Sequence, residues 1–394
     1  MRRRVGGMVM LLALAWVAAV GAAQERVVRP GDPLPGLTPR EFAEFRAGLQ
    51  DFLEVETTEE GLGPAFNGTS CAVCHNAPAI GGTSTVLETR VATVDDEGAF
   101  VAVDATGETL VHLFSTPTHG CQPLVPATAT VMARRAPIPL FGAGLVEAIP
   151  DELIQALEDP TDRDRDGVSG RAGLVVDPAT GATRVGRFGW KAQHATLLVF
   201  GADAYRNEMG ITNDIFPGEV GLGITPEQMR LCDPLPDIED AREPATGRRG
   251  IDNFESFMRF LAPIPRGAVG PAEQDGERVF TALGCATCHV PALSIGRHPN
   301  PLFDRRAVPL FSDLLLHDVA TGDGIRQGPA LPGEIRTPAL WGLRMRRPLL
   351  HDGSAVTIEE AVRRHGGEAA LSRRGYDGLS DGARQSLLAF LRSL

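Results

Sequence analysis

Two pentapeptides in this sequence each bring two thiols and an imidazole onto one turn of chain: Cys71-Ala72-Val73-Cys74-His75 and Cys285-Ala286-Thr287-Cys288-His289. Thiols three positions apart can each add to one vinyl group of a haem, and the adjacent histidine then reaches the iron as its proximal ligand. A zinc site would need further Cys or His at paired spacing, and neither motif has a second close pair. A thioredoxin-like redox pair would not need the following histidine twice. The motifs therefore predict two covalently bound haem c groups, with His75 and His289 on the irons. The remaining cysteines, Cys121 and Cys232, form an even remainder. In an oxidising compartment that favours a disulfide over two buried thiols.

Haem attachment of this kind takes place outside the cytoplasm, and the start of the chain agrees. Arg2, Arg3 and Arg4 precede an apolar run from Met8 to Val20, followed by the small residues Gly21-Ala22-Ala23. This reads as a secretory signal over 1–23, with an uncleaved anchor as the alternative. The run is shorter than the roughly 20 residues that span a bilayer. A periplasmic or secreted location without a stable membrane span is the expectation. The net charge of -12 argues against nucleic acid as a partner and suits a partner with a basic docking face.

The motifs need elements to hold them, and each sits in the same frame. Before the first, Thr38-Pro39-Arg40-Glu41 carries an N-cap, a proline at the first helical position and the glutamate of a capping box, ahead of Phe42 and Phe45. Before the second, Glu273 to Phe280 is again helical. A closing helix follows each motif, Asp252 to Leu261 and then Ser380 to Leu394, with apolar residues at helical spacing. Helix, motif, irregular middle and closing helix make up the plan of a small cytochrome c domain, here repeated. The predicted fold is mainly α, with two cytochrome c-like domains at 24–266 and 267–394. The Pro-rich stretch 262–266 reads as the linker. The first domain is enlarged by loops and a small β insertion, where Val, Thr and Leu alternate from Val86 to Phe114 around acidic turns. With 45 Gly, 30 Pro and 6% aromatics, the chain has much loop, and large prosthetic groups would fill core volume that aromatic side chains do not.

Asp162-Arg163-Asp164-Arg165-Asp166-Gly167 places oxygen donors at alternate positions before a glycine turn, the first half of an EF-hand-type loop. The closing glutamate is missing, since Gly173 stands there. The loop predicts a calcium site completed by another segment or water; an acidic turn without metal is the alternative.

Segments around the motifs carry a family resemblance. Gly61 to Asn67, Ser312-Asp313-Leu314-Leu315-Leu316-His317-Asp318, Arg336-Thr337-Pro338-Ala339-Leu340-Trp341-Gly342, His351-Asp352-Gly353 and His365-Gly366-Gly367-Glu368-Ala369 together resemble the dihaem oxidoreductase family. That family is similar to bacterial dihaem cytochrome c peroxidases and to the dihaem enzyme that matures tryptophan tryptophylquinone. The resemblance implies that electrons enter at the C-terminal haem and pass a tryptophan to an N-terminal haem where peroxide is reduced. On the match of Phe188-Gly189-Trp190 through Glu208-Met209-Gly210, Trp190 becomes the inter-haem residue and Glu208 the distal acid–base group; plain core is the alternative for Trp190. Counting fourteen positions from His351, as the peroxidases count to their methionine ligand, reaches His365. His365 is thus the expected second ligand beside His289, with Met345 as competitor. Histidine in place of methionine would lower the potential. Residues 76–91, where the peroxidases carry a distal-loop histidine, contain none. His112, His119 and His194 are not well placed by sequence, so the first haem is expected to have an open or weakly filled sixth site.

Peroxide heterolysis needs a group over the iron that takes a proton from the near oxygen and returns one to the leaving oxygen. Glu208 is the first candidate and Glu147 the second; a surface charge or a salt bridge is the alternative for each. Arg134 and Arg135 offer a propionate partner or a surface pair. The expected function is a periplasmic, peroxidase-like dihaem oxidoreductase. It would use hydrogen peroxide or another small oxidant, with a small redox donor protein or a quinol-linked cytochrome supplying electrons. A non-catalytic two-haem electron carrier and a protein-modifying dihaem oxidase are the alternatives.

Overall fold

The structure, a computed structural model, describes residues 27–394 except 96–99, 104–106, 117–120 and 234. The signal-like segment, His119 and parts of the acidic turns in the β insertion lie outside the described residues. The described residues form eleven α-helices, a few short 3-10 turns and five small sheets.

The helix Pro39–Leu53 starts as its sequence requires. Glu41 donates its backbone N–H to Thr38 Oγ1 at 3.2 Å, and Thr38 N–H donates back to the Glu41 carboxylate at 2.8 Å. Its buried face carries Phe45 and Phe52, which pack on Phe257 of the helix Gly250–Phe260 at ring distances of 5.4 and 4.8 Å. Gly48 lies at this crossing, where a Cβ would run into the Asn253 carbonyl and the Phe257 side chain. The same construction recurs downstream. The helix Pro271–Ala282 crosses Asp381–Ser393, with Gly276 against the Ser386 backbone and Phe280 5.1 Å from Phe390. Each phenylalanine so buried is worth ~1.5–3 kcal/mol.

The β insertion is built around Glu88–Val94, which pairs antiparallel with Phe100–Val101, Leu110–Val111 and Val131–Arg135. The last of these strands lies beyond the stretch that alternation had marked. A disulfide joins Cys121 to Cys232, at the end of the helix Pro226–Cys232, across 111 positions with Cα atoms 5.8 Å apart. The expected pairing is therefore present.

The stretch 262–266 is not a free linker. Ala262 and Ile264 are buried in the main apolar core. That core also takes in Leu293, Phe303, Leu310 and Leu315 from beyond the Pro-rich stretch, while Phe280, Phe311, Tyr376 and Phe390 belong to a second cluster. Among the described residues no helix is long and apolar enough to cross a membrane.

Candidate active site

Each Cys-x-x-Cys-His segment opens onto a cleft walled largely by apolar side chains. Cys71–Cys74 is a single helical turn, N-capped by Ser70, whose Oγ accepts from Ala72 N–H at 3.3 Å; His75 follows as the C-cap. Cys285–Thr287 is a 3-10 turn that places Cys288 and His289 in the same way. Phe52 and Phe280, from the preceding helices, stand 6.1 and 6.3 Å from the rings of His75 and His289.

The histidines are oriented from behind. His75 Nδ1 lies 2.9 Å from the Gly82 carbonyl and His289 Nδ1 3.0 Å from the Phe311 carbonyl. A carbonyl only accepts, so Nδ1 carries the proton and Nε2 keeps its lone pair, the tautomer that a metal-bound histidine needs. His365, just beyond the helix Ile358–Arg363, has the same arrangement, with Nδ1 2.7 Å from the Ala361 carbonyl. It lines the cleft that holds His289. Burial, and then the neighbouring His365, pushes His289 down to about 4, and burial also lowers His365. Met345 is 39% exposed and does not line this cleft, so the structure removes it as competitor. The Gly366-Gly367 pair packs against the Asp318–Ala320 loop rather than facing the cleft.

The cleft of the first motif is built differently. His75 is the only histidine among the described residues that line it. His112 Nε2 is held 2.7 Å from the Asn207 carbonyl and His194 Nε2 2.9 Å from Asp203, and neither reaches the cleft wall. Glu208, in the last turn of the helix Leu197–Met209, does reach it. Its carboxylate accepts from Asn67 Nδ2 at 3.0 Å. Burial, and then the charge of Glu88, pushes Glu208 up to about 8. Glu147 does not line either cleft. One of its oxygens accepts from the Leu197 N–H at 2.8 Å, where a helix begins, and the other from Arg259 at 2.9 Å. Glu147 is corrected to a structural anchor.

Trp190 lines both clefts. Its Nε1–H donates to the Ala136 carbonyl at 2.8 Å, the Arg346 guanidinium lies 5.2 Å over its ring, and the His351 ring stands edge-on at 6.1 Å. Trp190→Phe keeps an aromatic ring but gives up part of the buried volume and leaves the Ala136 carbonyl without its donor. It is expected to cost ~1–3 kcal/mol, read as a lower denaturant midpoint at unchanged slope.

Several wall residues were given no role by the sequence. Arg336 and Arg346 are buried beside the second motif, and burial pushes both down to about 10. Arg346 Nε and Nη2 are buried without a partner, and neither arginine has a carboxylate within ion-pair distance among the described residues. A buried cation left so calls for an anion in the cleft, as a haem propionate would supply. Arg135 Nη2 is orphaned in the same way at the first cleft, while its Nε pairs with Asp323 at 2.7 Å; Asp323 also holds Lys191 at 2.9 Å. Arg134 is exposed. With the free Nε2 atoms and the apolar walls, these residues fit a haem in each cleft.

The Asp162, Asp164 and Asp166 carboxylates converge within 4.8 Å of one another. Ser169, at the end of this loop, donates its N–H to Glu368 at 2.8 Å, and Glu368 in turn bonds His317 Nδ1 at 2.8 Å. His317 lines the second cleft and is held from its other side by Asp313 at 2.9 Å. Burial works against its charge, but hydrogen bonds with Asp313, Cys288 and Glu368 push it up to about 12.

Comparison with known proteins matches most of the sequence to a family. Residues 122–394 fit the family described as "Di-haem oxidoreductase, putative peroxidase". Methylamine utilization protein MauG of Methylorubrum extorquens is 27% identical over 180 residues, covering 39% of this chain and 46% of that protein. The chain thus spans less than half the length of that curated relative. Among solved structures, the diheme peroxidase BthA of Burkholderia thailandensis is 16% identical with a TM-score of 0.42, covering 93% of this chain and 86% of that one. The hydrazine synthase of Kuenenia stuttgartiensis is 14% identical with a TM-score of 0.40, covering 100% of both chains. Likenesses that loose decide neither fold nor activity. The family match extends over most of the chain, and on it the protein belongs to the di-haem oxidoreductase family, whose members carry two haem groups.

Proposed function

We propose that the protein is a dihaem c-type peroxidase exported to the periplasm. In this reading it has two cytochrome c-like domains, 24–266 and 267–394, and its haems are joined through Cys71 and Cys74 and through Cys285 and Cys288. One observation carries the reading: the two clefts differ in what faces the proximal histidine. His289 shares its cleft with His365, whose Nδ1 is likewise spent on a backbone carbonyl, whereas the His75 cleft offers Glu208 and no second histidine among its described lining residues. One iron site is then closed and one open, as an enzyme needs and a plain electron carrier does not.

A haem bound in each cleft would supply the electrons and the iron at which peroxide is reduced. The chain's own residues do the rest. His75, His289 and His365 present neutral Nε2 atoms. Arg336 and Arg346 at one cleft and Arg135 at the other would neutralise propionates of a bound haem. Glu208 holds a proton over the open site, and Trp190 gives an aromatic bridge between the clefts. Trp190→Phe is therefore also expected to slow electron transfer from one haem to the other after half-reduction, with the resting spectra unchanged. Hydrogen peroxide is the proposed oxidant and a small reduced cytochrome the donor.

Low-temperature EPR of the oxidised protein tests the assignment. One high-spin and one low-spin ferric signal, with peroxide-dependent oxidation of a reduced small cytochrome, supports it. Two low-spin signals that persist on half-reduction would move the reading to an electron carrier.

The Asp162–Asp166 loop is proposed to bind calcium and to brace the second cleft through Ser169, Glu368 and His317. Calcium added to chelator-treated protein should then raise its stability, by ~2.7 kcal/mol at a hundredfold excess over Kd. Asp164→Asn should need more calcium for the same rise. A melting temperature indifferent to calcium would leave the loop an acidic turn.

A further inference from the structure

Glu88 stands where the first cleft meets the β insertion, and nothing in its immediate sequence marks it as functional. Glu88 and Arg90 are two apart on one strand, so both side chains leave the same face, and both line the cleft. Arg90 grips the Glu88 carboxylate as a fork, at 2.8 Å through Nε and 3.5 Å through Nη2. Arg135, opposite Glu88 in the paired strand, adds Nη1 at 3.8 Å. Arg90 is itself fixed by Thr109 Oγ1 at 2.9 Å. From the other wall Glu208 brings a second carboxyl into the same cleft, where the two interact; it is steadied by Asn67, whose Oδ1 accepts the Leu113 N–H at 2.9 Å. Two interacting carboxyl groups in one buried cleft share one proton, because both cannot readily ionise.

We propose that Glu88 is a second catalytic carboxylate of the peroxide site, forming with Glu208 a one-proton pair in which Glu88 is the proton acceptor and Glu208 the donor. The inference rests on the peroxidase reading. The charges around the pair fix the order. Arg90 and Arg135 hold Glu88 ionised against its burial, while burial and the Glu88 charge keep the proton on Glu208. The other titratable groups nearby are Cys74, Asp203 in the Glu208 helix and Glu108 behind Arg90, with His75 in the same cleft wall. A peroxide entering this cleft brings one proton to be removed and one leaving oxygen to be protonated. Glu88 has the vacancy and Glu208 has the proton, so the pair begins and ends the exchange with one proton. The overall reduction of hydrogen peroxide to two waters takes two electrons from the donor cytochrome and two protons from solvent.

The test uses the two-haem protein and Glu88→Gln, with Glu88→Asp as a carboxylate-retaining control should the amide fold poorly. Cyanide arrives as neutral hydrogen cyanide and must give up its proton to bind ferric iron, so its association rate reads the acceptor without turnover. Glu88→Gln should slow cyanide association by about 10²-fold, the low end of a general-base contribution, and Glu88→Asp should restore part of it. The infrared C=O band of protonated Glu208 should also disappear at lower pH in Glu88→Gln than in the wild type. Cyanide association and the Glu208 band both unmoved in Glu88→Gln would overturn the pair while leaving the peroxidase reading standing. A wild type whose irons bind no cyanide would instead overturn the peroxidase reading, and Glu88's catalytic role with it.

Discussion

Replacing His365 with alanine is expected to turn one of the two ferric EPR signals from low spin to high spin and to leave the other in place. His289 and His365 line one cleft, each with Nδ1 spent on a backbone carbonyl and Nε2 free. Two neutral imidazoles on one iron give a strong field, and removing one weakens it. No substitute stands ready. Met345 is 39% exposed and does not line the cleft, His317 is pinned and charged between Asp313 and Glu368, and His351 packs against Trp190. His365→Met should keep the low-spin signal and raise the potential of that haem by a sizeable part of the roughly 0.8 V that axial ligation spans. An alanine variant with an unchanged EPR spectrum and unchanged potentials would mean that His365 is not the ligand.

What the sequence made legible follows from how local each signal is. The two Cys-x-x-Cys-His motifs, the Thr38–Glu41 capping box and the phenylalanines before each motif are fixed by spacing within a turn or two of helix. The structure places them as that spacing predicts. The family resemblance extended this to His365, Glu208 and Trp190, which lie far from the motifs in sequence and come to the cleft walls. Glu147 shows the limit: a glutamate in an apolar helical stretch reads alike whether it serves a cleft or caps a helix, and here Arg259 and the Leu197 N–H take both its oxygens. Arg336 and Arg346 were missed because the burial of a charge is a property of tertiary packing. Glu88 and Arg90 read alike whether they meet solvent or a cleft wall, because residues of their parity on the strand include Ala92 and Val94 as well; only the tertiary packing brings them to the first cleft, beside Arg135. The strand Val131–Arg135 was missed for a related reason: its two arginines break the hydrophobic pattern, and its pairing partner lies some forty residues upstream.

Glu208→Gln should lower peroxide turnover by ~10²–10⁴-fold, or about 3–5 kcal/mol of transition-state stabilisation, with both EPR signals retained. Glutamine keeps the side-chain shape and can still accept from Asn67, so the cleft should stay in place while the transferable proton is lost. The pH profile separates this from a packing defect. Burial and the neighbouring Glu88 charge hold Glu208 protonated up to about 8. As a proton donor it is therefore competent below that pH, and activity should fall as pH rises through about 8. If Glu208 acted as the acceptor the sign would reverse, with activity rising through the same pH as the carboxylate appears. The glutamine variant has no group to titrate there, so its residual activity should be flat across that range whichever role is correct. A variant that kept the wild-type limb would show that another group holds the proton. A variant that lost activity together with its high-spin signal would have lost the site rather than the proton. The expected outcome is the falling limb in the wild type, its absence in Glu208→Gln, and an open iron in both, which together place the working proton on this carboxyl.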